Sequence, residues 1–240
     1  QTTTSKPRTG SKPAAAAAST CISELPMRLQ SPTRRIIVLA GLGLLTFAML
    51  TLVDLSLGKS LSNLGRLLKG DLYYLFRIWG SLWPWLLFSI ALAISCRGKE
   101  QPNRAKQSAF LLLSPALSGA WAELLKTTLR RERPSQFEAY VFRSFTDRPW
   151  SSSGLGLPSS HAAVAFGGSM ALIILFPRLR WPALVMAVGC ALTRVVAGAH
   201  YPTDIYIGSL VGAVTGFLLA HWLKIPSLRF GHAQPSPDQP

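Results

Sequence analysis

Six apolar runs, 36–57, 79–96, 108–125, 162–176, 181–197 and 205–223, alternate with short polar segments along the middle of the chain. A helix that crosses a bilayer needs about 20 apolar residues, within a range of about 17–25. The first and last runs meet that length outright. The fourth and fifth are shorter and rich in Gly, Ala and Ser, the composition of helices packed against other helices in lipid. A buried helix of a soluble protein accounts for any one short run, but not for a succession of them separated by basic turns. The pattern predicts an all-α integral membrane bundle of six transmembrane helices. Between the first two runs, Leu61, Leu64, Leu67, Leu68, Leu72 and Leu75 recur at near-helical spacing among Lys59, Arg66, Lys69 and Arg77. That spacing predicts an amphipathic helix lying on the lipid surface in the first outer loop.

The flanks differ from this middle. Residues 1–34, rich in Thr, Ser, Lys and Pro with an Ala14–Ala18 run, read as a disordered basic tail, and 226–240 as a flexible tail. The membrane domain is then 35–225. The alanines ahead of Cys21 faintly resemble a lipoprotein cleavage site, but no leucine-rich core precedes them as a secretion signal requires. The chain opens on Gln1, as a trimmed or partial chain does.

Composition agrees with the pattern. Of 240 residues only 15% are charged, against about 25% in soluble domains, while 49% are hydrophobic. The net charge of +15 would suggest nucleic acid on a soluble chain. Beside these apolar runs it reads instead as basic loops that orient helices in a membrane, so the expected partner is a bilayer and not a nucleic acid. With both termini cytoplasmic, the inside segments hold more than half of the 25 Lys and Arg. Cys21, Cys96 and Cys190 are too few and too scattered for a disulfide framework or a zinc site.

Ionisable residues at the ends of membrane helices are costly and tend to serve function. Three clusters stand out. Lys126 and Arg133 are seven apart, two turns along one helix face, and Pro134 should end that helix at Arg133. Ser159 and Ser160 precede His161 at the start of the fourth run, where an N-cap would sit and where free N–H groups suit a phosphate. In the third cluster, Arg194 is followed by His200 and Asp204, four apart. A carboxylate at that spacing can bind Nδ1 of His200, fixing its tautomer and leaving Nε2 free to attack. Each cluster alone also has a plain explanation as an anchor, a cap or a surface pair. The predicted topology, however, brings all three to one membrane face. The combined set offers cations and imidazoles but no grouped carboxylates or cysteines for a metal. Metal-independent phosphoryl transfer, with no cofactor, is the chemistry such a set supports.

These residues resemble the type 2 phosphatidic acid phosphatase superfamily. Its motifs, Lys-x6-Arg-Pro, Pro-Ser-Gly-His and Ser-Arg-x5-His-x3-Asp, correspond here to Lys126…Arg133-Pro134, Pro158-Ser159-Ser160-His161 and Thr193-Arg194…His200…Asp204. The resemblance implies a six-helix membrane phosphatase acting on a lipid phosphate or diphosphate at the outer face. In it His200 would form a phosphohistidine, Asp204 would support it and His161 would protonate the leaving group. Lys126, Arg133, Ser159, Ser160 and Arg194 would cradle the phosphate. Ser160 stands where the family has glycine, and Thr193 where it has serine. The alternatives are a lipid-to-lipid phosphotransferase of the same family, the related but soluble vanadate haloperoxidases, and a non-enzymatic membrane transporter or scaffold. The aromatic residues of the loop 135–157, Tyr140, Phe142, Phe145 and Trp150, read as interfacial anchors more readily than as headgroup selectors.

Overall fold

The computed structural model describes residues 32–65, 70–95, 103–134 and 140–225. The expected tails lie outside the described residues, except that helix begins already at Pro32. In chain order the helices are α1 Pro32–Gly65, α2 Asp71–Ile78, α3 Leu82–Ile94, α4 Arg104–Leu129, α5 Ser160–Leu175, α6 Arg180–Val196 and α7 Pro202–Leu223. A single 3-10 turn, Pro177–Leu179, joins α5 to α6. One compact unit ends at Thr46 and a second begins at Phe47. The described part of the first is helix with its leucines exposed, Leu44 by 71%.

In the second unit α5 is the central element, packed against α4, α6 and α7. Its face of Ala162, Ala163, Ala165, Gly167, Gly168 and Ala171 is buried and lets neighbouring backbones approach. On α7, Gly208, Gly212, Gly216 and Ala220 recur every fourth residue and are buried. A side chain at Gly212 would strike the Ala163 carbonyl, so α5 and α7 touch backbone to backbone. Serine hydroxyls tie the helices together. Ser114 Oγ donates to Gly167 O at 2.7 Å, Ser89 Oγ to Ser108 O at 2.7 Å, and Ser169 Oγ to Ala183 O at 3.0 Å. Trp85, Phe110, Leu111 and Leu175 fill the apolar core.

The outer surface is apolar, with Leu52 79% and Trp222 77% exposed. Water would not tolerate so continuous an apolar surface, whereas lipid matches it. Four helical segments, Ile36–Asn63, Arg104–Leu129, Pro177–Val196 and Pro202–Leu223, are long and apolar enough to cross a membrane. The pair α2 and α3, bent by 65°, would make a fifth. The expected sixth, α5, has 16 residues. At 1.5 Å per residue it spans about 24 Å, short of a hydrocarbon core about 30 Å thick. The chain is an integral membrane protein, and its central helix is shorter than its neighbours.

The expected amphipathic helix over the first outer loop is not one element. α1 continues through Gly65, where an added side chain would strike the Val196 carbonyl at the end of α6. Residues 66–69 lie outside the described residues, and α2 then buries Tyr73 while leaving Leu72 and Leu75 exposed. The first leucines of that pattern thus belong to the end of α1, where Gly65 meets the end of α6.

Candidate active site

The segment after α4 builds one wall. α4 ends at Leu129, four residues before the boundary expected from Pro134, because Arg130 turns left-handed (φ 55°). Tertiary contacts hold it there. The buried Arg130 guanidinium donates to the carbonyls of Arg143 (3.1 Å), Ser144 (2.7 Å), Pro149 (3.2 Å) and Asp147. Residues 130–133 are then clasped on both sides by the following loop. Arg143 N donates to Arg130 O at 3.0 Å and Glu132 N to Val141 O at 2.8 Å. On the other side, Arg133 N donates to Gly154 O at 3.0 Å and Gly156 N to Arg131 O at 2.7 Å. Lys126 and Arg133 therefore do not share a helix face, as their spacing predicted. Lys126 projects from the last turn of α4, and Arg133 from an extended strip beyond it.

In the same loop Phe142, Phe145 and Trp150 are exposed, as anchors would be. Tyr140 is not among them. It points inward, its hydroxyl donating to Thr51 O at 2.8 Å.

The start of α5 supplies the second part. Ser159 is the N-cap, yet its side chain makes no capping bond. Its Oγ is buried without a hydrogen-bond partner, while its N–H donates to the Asp204 carbonyl at 2.9 Å. The Ser160 hydroxyl lies between Lys126 Nζ and Glu123 Oε1 and bonds to both. Lys126 also pairs with Glu123 at 2.7 Å and is 4% exposed. Serine in place of the family's glycine thus joins a Lys–Glu pair at the helix entrance, with its backbone in an ordinary helical conformation.

The third part comes from α6 and α7. Arg194, on the last turn of α6, is buried, and its Nε has no partner. The Thr193 hydroxyl donates back to Cys190 O at 2.6 Å and so is occupied within its own helix. His200 is 2% exposed. Its Nδ1 lies 3.0 Å from Gly156 O and 3.5 Å from Asp204 Oδ2. A carbonyl only accepts, so Nδ1 carries the proton and the neutral ring has its lone pair on Nε2. The tautomer is the one expected, but a main-chain carbonyl sets it, with Asp204 second. Asp204 is itself committed: Oδ1 accepts from Arg131 Nη2, and Oδ2 accepts from Tyr201 N at 2.9 Å. At Gly156 an added side chain would come within 2.9 Å of Asp204 Oδ2, so only glycine lets the loop press against the carboxylate.

The three clusters converge. His161 lies within electrostatic reach of Arg194, His200, Arg77 and Lys126. His200 lies within reach of Asp204, Arg194 and Lys126, and Arg194 within reach of Arg133 and Arg77. Burial pushes the pKa of His200 below its ordinary 6.5, with Arg194 and Lys126 adding to the shift and Asp204 opposing it. The imidazole is therefore neutral and able to donate its lone pair near pH 7. A cavity of about 460 Å³ opens on His200, with Lys59, Ser62 and Pro134 in its walls. A separate, almost wholly apolar groove of about 450 Å³ is lined by Leu57, Leu61, Val195 and Pro202 among others.

Sequence reading missed four contributors. Glu123 was legible as a carboxylate one turn before Lys126. Asp54 was legible as the single acidic residue inside the first apolar run. Arg131 lay inside the first cluster without a distinguishing mark. Gly156 had no local signal at all.

The PAP2 superfamily matches residues 107–226, half of the chain, which holds all three clusters. Lipid A 1-phosphatase of Rhizobium johnstonii is 36% identical over 112 residues, covering 47% of this chain and 46% of that protein. Decaprenylphosphoryl-5-phosphoribose phosphatase of Mycobacterium tuberculosis is 29% identical over 137 residues, covering 56% and 69%. The chain spans about half the length of the first of these relatives. Its fold matches the crystal structure of a transmembrane PAP2 type phosphatidylglycerolphosphate phosphatase from Bacillus subtilis, with a TM-score of 0.53 at 21% identity. That match covers 78% of this chain and 97% of the other. The family match spans half of the chain, and the chain belongs to the PAP2 superfamily.

Proposed function

We propose that the protein hydrolyses a phosphate or diphosphate group from a membrane lipid, without a metal, through a phosphohistidine on His200. The observation that carries this reading is a set of buried donors left without partners beside a neutral imidazole. Ser159 Oγ and Arg194 Nε are both buried and unpaired, and buried polar groups are rarely left so without a functional reason. A phosphoryl group, with its charge spread over three oxygens, is the ligand they fit. Lys126, Arg133, Arg194, Ser159 and Ser160 would hold those oxygens, and charge building in the transition state would be met by fixed cations. Nε2 of His200 would attack phosphorus in line, forming an N–P bond as the bond to the lipid oxygen breaks. His161 would hand its proton to that oxygen. Water, deprotonated by His161, would then break the N–P bond and release inorganic phosphate. Asp204 would support the imidazolium formed in between.

The apolar groove lined by Leu57, Leu61, Val195 and Pro202 supports a lipid substrate, since a hydrocarbon chain can lie in it. The names of the relatives, a lipid A phosphatase and a decaprenylphosphoryl-phosphoribose phosphatase, point to the same class. Both termini cytoplasmic and the site at the outer face is the orientation the basic residues favour.

Purified protein tested for phosphate release from phosphatidic acid, phosphatidylglycerol phosphate, a polyprenyl diphosphate and lipid A, with His200→Ala as the blank, decides the matter. Release from at least one lipid is expected; release from none would end the reading. The lowered pKa of His200 also predicts a pH profile. Protonation blocks the nucleophile, so the acid limb of kcat/KM that His200 sets should lie below pH 6.5.

A further inference from the structure

We propose that Arg131 and Asp54 are positioning residues for His200, acting through Asp204. The proposal rests on the phosphatase reading above and extends it to two residues that are not motif positions: Arg131, at a variable position within the first motif, and Asp54, which lies outside the family-matched region.

Two acceptors face Nδ1 of His200, the Gly156 carbonyl at 3.0 Å and Asp204 Oδ2 at 3.5 Å. Arg131 holds both. Its main-chain carbonyl accepts from Gly156 N at 2.7 Å, and its Nη2 donates to Asp204 Oδ1. The same Nη2 donates to Thr203 Oγ1 at 2.7 Å, and Nη1 lies 3.6 Å from Asp54 Oδ2. The guanidinium sits over the rings of Tyr140 (5.4 Å) and Tyr201 (5.0 Å). Asp54, on α1, accepts from Thr203 N at 2.8 Å and from the Thr203 hydroxyl, and Tyr140 OH lies 3.3 Å from its Oδ2. Arg131, Asp54, Thr203 and Asp204 are all buried.

The result is a chain of alternating charge, Asp54–Arg131–Asp204, ending at His200. A guanidinium is planar and holds one orientation when both of its faces and its ends are engaged. Asp54 engages the far end, and so fixes where Arg131 holds Asp204. Neither residue touches the place where phosphate would sit, so their effect on the reaction runs through the imidazole alone.

This arrangement has a signature that a purely structural ion pair lacks. The charged and titratable groups facing His200 are Asp204, Arg194, Lys126 and His161, with Arg131 and Asp54 behind Asp204. Neutralising Arg131 removes a cation and frees Asp204 to act on the imidazole, so the acid limb of kcat/KM should move to higher pH. Neutralising Asp54 leaves Arg131 less opposed, so the limb should move to lower pH. The two shifts have opposite signs because the two charges do.

The experiment measures phosphate release across pH for the full chain in detergent, for Arg131→Gln, Arg131→Lys and Asp54→Asn beside wild type and His200→Ala. Expected for Arg131→Gln is a kcat lowered about 10–100-fold, the range for groups that orient a catalytic residue, with KM within about twofold. Arg131→Lys should recover part of it, and the limbs of Arg131→Gln and Asp54→Asn should move apart. Should Arg131→Gln fail to fold by thermal melting, the partial loss in Arg131→Lys and the downward limb in Asp54→Asn carry the test. Wild-type kcat in the folded variants, or limbs that do not move while His200→Ala is inactive, would overturn the positioning role alone. Release by His200→Ala would overturn the phosphatase reading and this inference with it.

Discussion

On the proposed mechanism, His200→Ala is expected to lower phosphate release by about 10⁴-fold or more and to leave the fold intact. The magnitude is that of losing a nucleophile outright, since the cradle alone gives only residual catalysis. The fold survives because His200 contributes one hydrogen bond to the loop, to Gly156 O. Leaving that carbonyl unpaired costs about 1–3 kcal/mol, and the helix contacts between α5 and α7 do not involve the imidazole. Phosphate release and a melting curve in detergent, measured on one preparation, check both halves.

Arg194→Ala separates activity from stability in the opposite way. Its guanidinium is buried and its Nε is unpaired, and the cations Arg77 and Arg133 within its electrostatic reach have its own sign. A cation so placed is a burden on the folded chain, and its removal should leave the melting temperature unchanged or raised. Turnover should fall about 10²–10³-fold, the usual effect of deleting one donor that faces transition-state charge. Enzyme sites commonly hold such stability in reserve. Arg194→Ala with near-normal activity would show that the phosphate does not lie against α6.

The parts of the site that were legible in the sequence are those fixed by local spacing. Arg194, His200 and Asp204 stand at intervals that a helix end, a short turn and a new helix reproduce, and the structure keeps them together. Ser159 at the start of α5 was legible as a cap, although its hydroxyl is left free. What the sequence hid depends on contacts between distant segments. α4 ends at Leu129 because Arg130 finds carbonyls as far away as Pro149, and no local rule places that boundary before Pro134. The hydrogen bond that sets the His200 tautomer comes from Gly156, 44 positions earlier. Asp54 reaches Thr203 across 149 positions. Likewise, the leucine repeat from Leu61 to Leu75 has the right period for a surface helix, yet its first positions fall within α1 and its last within α2. Periodicity reports which face is apolar, not whether lipid or protein will cover it.

The most direct test of the phosphohistidine is stereochemical. An in-line displacement inverts the configuration at phosphorus, and passage through a covalent enzyme intermediate requires two of them. A lipid thiophosphate made chiral with oxygen isotopes, hydrolysed in isotopically labelled water, should therefore yield inorganic thiophosphate with its configuration retained. Inversion would mean that water attacks phosphorus directly and that His200 is not the nucleophile.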